Sequence, residues 1–150
     1  MRLGFASDHR GFKLKKELID YFKNNGYTVN DYGTNSEVSC DYPDYAYKLG
    51  NAILSGDVDF GVAICGTGIG ISIALNKMKG IKCAKVSDPW EAYATRNDND
   101  TRIIAFGERM DFDNATQSIK AFIDTPYSML EKHNRRNEKV NQIENGEYRG

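Results

Sequence analysis

Cys65 is followed by glycines at alternate positions, in the run Cys65-Gly66-Thr67-Gly68-Ile69-Gly70. Glycine carries no Cβ, so a chain of this kind lets backbone amides close around a small ligand. The run ahead of it, Val62-Ala63-Ile64, is apolar and reads as a buried strand. Behind it, Ile71, Ala74, Leu75 and Met78 recur as one face of a helix, and Gly80 suits that helix's C-terminal cap. Cys65 is therefore expected at the carboxyl end of a strand, just ahead of a helix N-terminus. Free N–H groups and the helix dipole stabilise negative charge there. A thiolate would be favoured, and an oxyanion would find donors ready. The plain alternative is a small buried side chain that closes the strand.

Familiar glycine loops do not match. A Walker loop has lysine after its last glycine, where this chain has Ile71; a dinucleotide fingerprint is G-x-G-x-x-G, where this chain has Gly66-x-Gly68-x-Gly70. A cysteine phosphatase loop would place arginine where Ile71 stands. A cysteine beside an anion cradle is what remains.

The elements that would position this loop follow in chain order. Arg2–Ser7 reads as a strand, and Leu14, Leu18, Ile19 and Phe22 as the inner face of a helix that Gly26 ends. Tyr27–Tyr32 is a second strand, and residues 34–42 a polar loop ending in Asp41-Tyr42-Pro43. A helix with Tyr45, Ala46, Leu49, Ala52 and Ile53 inward stops at Gly56, and Asp59–Ile64 is the third strand. Ile81–Val86 is the fourth. Asp88-Pro89-Trp90-Glu91 opens a helix to about Asn97, with an N-cap acid, proline at the first helical position and glutamate closing a capping box. Asp98 to Thr101 reads as a polar turn, Ile103–Phe106 as the fifth strand, and Ala115, Ile119, Phe122 and Ile123 as a helix halted near Pro126. The tail from about Asn134 to Glu144 is helix-prone, with Val140 and Ile143 as its apolar anchors. Strands alternating with helices imply parallel βαβ units. The fold class is α/β: a three-layer α/β/α sandwich on a five-stranded parallel, Rossmann-like sheet. Residues 1–150 form one domain, with a helical tail (about 126–150) that packs on a partner subunit or frays.

In such a sheet the loops after the strands share one edge. That edge should collect Asp8 and His9, Tyr42, Cys65 with its glycines, Asp88 and Arg109. An acid, an imidazole, a thiol, an anion cradle and a cation suit a small polar anion. Each also has an ordinary role. Asp8 could be an N-cap, His9 a surface histidine, Tyr42 a packing anchor, Arg109 a surface ion pair, and Asp98 to Asp100 turn formers. Lys132, His133, Arg135 and Arg136 could be a solvated face.

Composition bounds the classes. The 150 residues are 40% hydrophobic and 27% charged with a net charge of −1, which fits a globular chain with no general pull toward nucleic acid or membrane. No stretch spans a bilayer and no signal peptide is read, so the three cysteines are expected as reduced thiols in the cytoplasm. Two histidines, without C-x-x-C or H-E-x-x-H, argue against a metal site, and no cofactor is expected.

Together these motifs resemble the type B ribose-5-phosphate isomerase family, which includes allose- and galactose-6-phosphate isomerases. The resemblance runs over nearly the whole chain. It rests on Ser7-Asp8-His9-x-Gly11, Asp41-Tyr42-Pro43, Ile64 to Ser72, Asn99-Asp100, Ala105-Phe106-Gly107-x-Arg109 and His133-x-x-Arg136. It implies a metal-independent aldose–ketose isomerase of sugar phosphates, working as a homodimer or dimer of dimers with shared active sites. By the same resemblance, Cys65 moves the proton between C1 and C2, and Thr67 shuttles protons between the oxygens. The amides of Gly66, Thr67, Gly68, Ile69 and Gly70 hold the enediolate. Asp8, His9 and Tyr42 meet the substrate. Asn99 comes from the partner to a sugar oxygen, and Arg109, Lys132 and Arg136 take phosphate-binding positions.

Two positions depart from that pattern. Asp98 stands where many members have the histidine thought to open the sugar ring, and Lys132 stands where arginine is common. An ordinary carboxyl titrates near ~3.9 and is a poor acid at neutral pH unless burial raises it. Ring opening is then expected at Asp98, at His9 or in solution, and the preferred sugar stays open between ribose 5-phosphate and the two hexose phosphates. A sugar-phosphate-binding regulator that has lost the chemistry, and a flavodoxin-like nucleotide binder, are the competing classes. Retention of Cys65 and Thr67 argues against the first, and the mismatched loops against the second.

Overall fold

The computed structural model describes residues 1–150. Strands and helices alternate in the order β1 (Arg2–Ser7), α1 (Phe12–Asn24), β2 (Thr28–Asp31), α2 (Tyr42–Ser55), β3 (Phe60–Cys65) and α3 (Ile69–Asn76). They continue as β4 (Cys83–Lys85), α4 (Pro89–Asn99), β5 (Ile103–Gly107), α5 (Phe112–Asp124) and α6 (Glu131–Glu144). All strands pair in parallel, in the order β2-β1-β3-β5-β4. This is the expected three-layer α/β/α arrangement.

The order follows from handedness. The β1-α1-β2 and β4-α4-β5 crossovers step one way across the sheet, and β2-α2-β3 and β3-α3-β4 step the other way. A constant right hand therefore puts α1 and α4 on one face and α2 and α3 on the opposite face. The side chains agree. Leu3, Phe5, Val62, Ile64, Ile104 and Phe106 pack against α1, α4 and α5. Small residues, Ala6, Ala63 and Ala105, turn toward α2 and α3. Gly4 belongs to that tighter face: a Cβ there would lie 3.0 Å from Leu49 of α2. At the centre, the loops leaving β1 and β5 turn to one face while the loop leaving β3 turns to the other. The divergence opens a crevice beyond the carboxyl end of β3, where Cys65 stands.

Several element ends differ from expectation. β2 and β4 are shorter than read, as edge strands whose outer residues have no neighbour to pair with. Helix α3 ends at Asn76, well before Gly80, because the Asn76 side chain binds both the N–H and the C=O of Cys83 and turns the chain into β4. Helix α4 runs on through Asp98 and Asn99, where the sequence predicts a turn. The reason is Arg96, buried against the Phe60 and Phe122 rings, whose Nη1 donates to Asp100 Oδ1 at 2.7 Å and to the Thr101 carbonyl at 2.8 Å. Asp100, at φ 53°, then caps the helix. Asp88 does cap the other end, accepting the Glu91 N–H at 2.8 Å, but the Glu91 carboxylate returns to Ser87 instead of Asp88. Helix α6 begins at Glu131. Its buried residue is His133, while the expected anchors Val140 and Ile143 are exposed. No helix is long and apolar enough to cross a membrane.

Candidate active site

Cys65 is buried at the last position of β3, its carbonyl accepting the Glu108 N–H from the loop after β5. Gly68 holds φ 79°, and a Cβ there would lie 2.6 Å from the Phe106 carbonyl carbon. Only glycine turns the chain so tightly at this spot. The turn aims the Gly68 N–H at Cys65 Sγ, 3.2 Å away. The Ile69 N–H goes to Thr67 Oγ1 at 3.1 Å. The expected five-amide cradle is therefore narrower. Gly68 serves the sulfur and Ile69 the threonine, while the amides of Gly66, Thr67 and Gly70 donate to no other protein group.

Three side chains surround this loop. The Tyr42 ring lies over Gly70, where a Cβ would come within 2.7 Å of the ring. His9 Nδ1 accepts the Cys40 N–H at 3.2 Å, which leaves the proton on Nε2 and a donor for a ligand oxygen. Asp8 is buried, and its Oδ1 accepts the N–H groups of Arg10 and Gly11 at 3.0 and 3.1 Å. It thus shapes the turn into α1, and Oδ2 takes no protein hydrogen bond. The expected Asp88 caps α4, accepting the Glu91 N–H.

Arg10 escaped the sequence reading. Its guanidinium lies flat over Gly66, where a Cβ would sit 2.5 Å from Nη1. Both Glu108 carboxylate oxygens accept from it at 3.2 Å, and those hydrogen bonds and the Glu108 charge raise its pKa above the ordinary arginine value. Nothing in local spacing marks this residue; only the β3–β5 pairing brings Glu108 beside Gly66. Arg10, Gly66, Thr67, Lys85, Arg109 and Asn114 line a cleft of about 510 Å³. Arg109 and Lys85 are exposed and form no close ion pair, so the cleft favours an anion. A larger cavity, about 690 Å³, lies under α6 at the opposite edge of the sheet, between Ile53, Arg102 and Glu144, and holds none of these groups.

The remaining expected residues are also at that opposite edge. Helix α4 starts where β4 ends and returns about 16 Å along the sheet. Asp98 and Asn99 therefore lie beside the amino ends of the strands, away from Cys65. Helix α6, which carries Lys132 and Arg136, docks there too, through Asn137 Nδ2 to the Asp98 carbonyl at 2.9 Å. Asn99, Lys132 and Arg136 are exposed, and none is paired with an opposite charge. One chain thus presents two separate polar groups: the thiol, cradle, imidazole and two cations at one edge, and a carboxylate, an amide and two cations at the other. Nowhere do three histidine, cysteine or acidic side chains converge as metal ligands.

Comparison with known proteins gives a consistent pattern. A family model described as Ribose/Galactose Isomerase matches residues 3–140. The chain is 40% identical over 144 residues to ribose-5-phosphate isomerase B of Escherichia coli strain K12, spanning 95% of this chain and 96% of the relative. It is 36% identical over 111 residues to D-erythrulose-4-phosphate isomerase of Pectobacterium atrosepticum, 73% of each chain. The solved structure of Clostridium thermocellum ribose-5-phosphate isomerase B matches with a TM-score of 0.93 at 40% identity, covering 97% of this chain and 99% of the other.

Proposed function

The chain belongs to the ribose/galactose isomerase family and is a sugar-phosphate isomerase, and from that premise we propose that it interconverts ribose 5-phosphate and ribulose 5-phosphate with Cys65 as the base. The observation that carries the base assignment is the Cys65 sulfur beneath a helix N-terminus, with one amide aimed at it and three more free beside it.

The chemistry requires little else. Cys65 takes the C2 proton of the open-chain aldose, the C–H electron pair forms the C1–C2 double bond, and the carbonyl pair moves onto O1. The free amides of Gly66, Thr67 and Gly70 stabilise that oxygen. Thr67 passes the O2 proton to O1. O2 then becomes the carbonyl as C1 takes the proton back from sulfur. Asp8 and His9 meet the sugar and the phosphate end, Tyr42 closes the side of the cleft, and Arg109 attracts the phosphate.

The rest comes from a second copy. Asn99 reaches a sugar oxygen, Asp98 opens the ring, and Lys132 and Arg136 complete the phosphate site, an arginine fork beside a lysine point charge. Two features support this reading. The two polar groups stand at opposite edges of one chain. Helix α3 is apolar all round, with Ile71 and Leu75 in the core and Ile69 and Ile73 about half exposed, as expected of a helix covered by another subunit. We read the protein as one domain over residues 1–150 whose tail, 126–150, reaches its partner, in a cytoplasmic homodimer or dimer of dimers.

The test is turnover of ribose 5-phosphate, allose 6-phosphate and galactose 6-phosphate by wild type and Cys65→Ala, with a chelator present. Turnover of ribose 5-phosphate that falls by about 10³-fold in Cys65→Ala is expected of a lost base. Turnover confined to a hexose phosphate would change the substrate and keep the mechanism. Binding without turnover of any of the three would contradict the isomerase reading.

A further inference from the structure

His133 is the one buried residue of α6, and it faces Asp98 on α4. Its Nε2 lies 3.5 Å from Asp98 Oδ1. Its Nδ1 lies 2.7 Å from Ser128 Oγ, and that oxygen already accepts the Leu130 N–H at 3.3 Å. Nδ1 and the Ser128 hydroxyl thus share one hydrogen bond, and a carboxylate, which when ionised only accepts, faces Nε2. Asp98 Oδ1 also takes the Asn97 side-chain amide at 2.8 Å. The backbone is held as tightly: Asn137 donates to the Asp98 carbonyl, and the Ser128 N–H to the Asn97 carbonyl at 3.1 Å. The Asn97 amide and the imidazole edge thus both face Oδ1. Oδ2 has no protein partner, and the Asp98 side chain is 46% exposed while that of His133 is 11% exposed.

We propose that His133 is a positioning residue that fixes the Asp98 carboxylate so that its free oxygen opens the sugar ring. The inference rests on the isomerase reading above and on a second copy bringing Asp98 to the cleft. In the furanose form of ribose 5-phosphate, C1 bears both the hydroxyl O1 and the ring oxygen O4. Asp98 takes the O1 proton, the C1–O4 bond breaks with its electron pair on O4, C1=O1 forms, and the proton on Asp98 passes to O4. The carboxylate ends as it began. It works as a two-way proton carrier. A carboxylate free to rotate would lose the geometry that lets it reach both oxygens. The buried His133 ring, held by the part-buried Ser128, restrains that rotation.

The alternative is that His133 only anchors α6, which would misplace Lys132 and Arg136 for every substrate. Reactions that never involve a ring separate the two. Erythrose 4-phosphate has its O4 esterified and forms no furanose. Ribulose 5-phosphate, with O5 esterified, exchanges a C1 proton with solvent through the enediolate alone. Full-length His133→Ala, His133→Gln and Asp98→Asn would be compared with wild type for ribose 5-phosphate isomerisation, erythrose 4-phosphate isomerisation, and deuterium entry into ribulose 5-phosphate followed by NMR. His133→Ala and Asp98→Asn are expected to slow ribose 5-phosphate by about 10- to 100-fold, in the range for a lost acid–base group. Both ring-free reactions should stay within about twofold, because that group plays no part in them. His133→Gln, which keeps an N–H toward Asp98, should recover part of the loss. An equal fall in all three reactions, or no fall on ribose 5-phosphate, would overturn the proposal. Failure of the underlying base assignment shows separately, as exchange that survives Cys65→Ala.

Discussion

At Cys65 one amide decides the geometry. The Gly68 N–H reaches the sulfur only because residue 68 sits at φ 79° against the Phe106 carbonyl. Gly68→Ala is expected to cost about 2 kcal/mol or more in chemical denaturation, since the left-handed conformation alone costs ~1–2 kcal/mol for an L-residue. It should also lower kcat more than it raises KM, because the donor swings off the sulfur. Gly66→Ala meets only the far end of the Arg10 side chain, so its stability cost should be smaller, and a loss equal to that of Gly68→Ala would contradict the assignment. The other thiols behave differently. Burial pushes the Cys83 thiol up to about 12, so at pH 8 it stays protonated and shielded. Iodoacetamide on the native protein should leave Cys83 unmodified and label the part-exposed Cys40, as read by peptide mass mapping.

Among the elements, α1 and the loop after β2 are tied by Lys15. This lysine is fully buried, its ammonium on Asp31 and on the Thr34 carbonyl at 2.7 Å. Burial lowers its pKa despite the Asp31 partner. Lys15→Ala removes the stem and the charge together and leaves the Thr34 carbonyl unpartnered. A loss of about 2–4 kcal/mol is expected in urea unfolding. Because the same loop carries Cys40 against His9, KM should rise as well. A variant as stable as wild type would remove Lys15 from this role. By sequence its spacing with Lys13 and Lys16 is that of a solvated face, and no local pattern reveals an acceptor on another element. The strands and the inner helix faces were legible because hydrophobic period is local. The ends of α3 and α4 were not, because Asn76 and Arg96 set them through bonds to Cys83, Asp100 and Thr101 that close only in the folded chain.

For the whole molecule, the proposed site draws on residues at two opposite edges of the chain. The glycine run around Cys65 was legible because its chemistry is contiguous. The roles of Asn99, Lys132 and Arg136 came from family resemblance alone, since no composition or spacing places exposed, unpaired residues in a site on another copy. On the proposed reading helix α3 supplies the matching surface, its Ile69 and Ile73 about half exposed. Ile73→Lys should turn the protein monomeric in sedimentation without changing its circular dichroism, and turnover should fall with it, since an exposed isoleucine is dispensable to the monomer fold but not to a buried interface. A monomer with full activity would show that one chain suffices.

The most direct measurement is complementation between two inactive variants. Cys65→Ala lacks the base at one edge, and Arg136→Ala lacks a phosphate cation at the other. Each alone should be nearly inactive. Unfolded together and refolded at equal amounts, half the dimers are mixed, and each mixed dimer carries one site with both defects and one with neither. Activity should recover to about a quarter of wild type, as two-fold symmetry requires. Activity that stays at the level of the separate variants would contradict a site built from two chains.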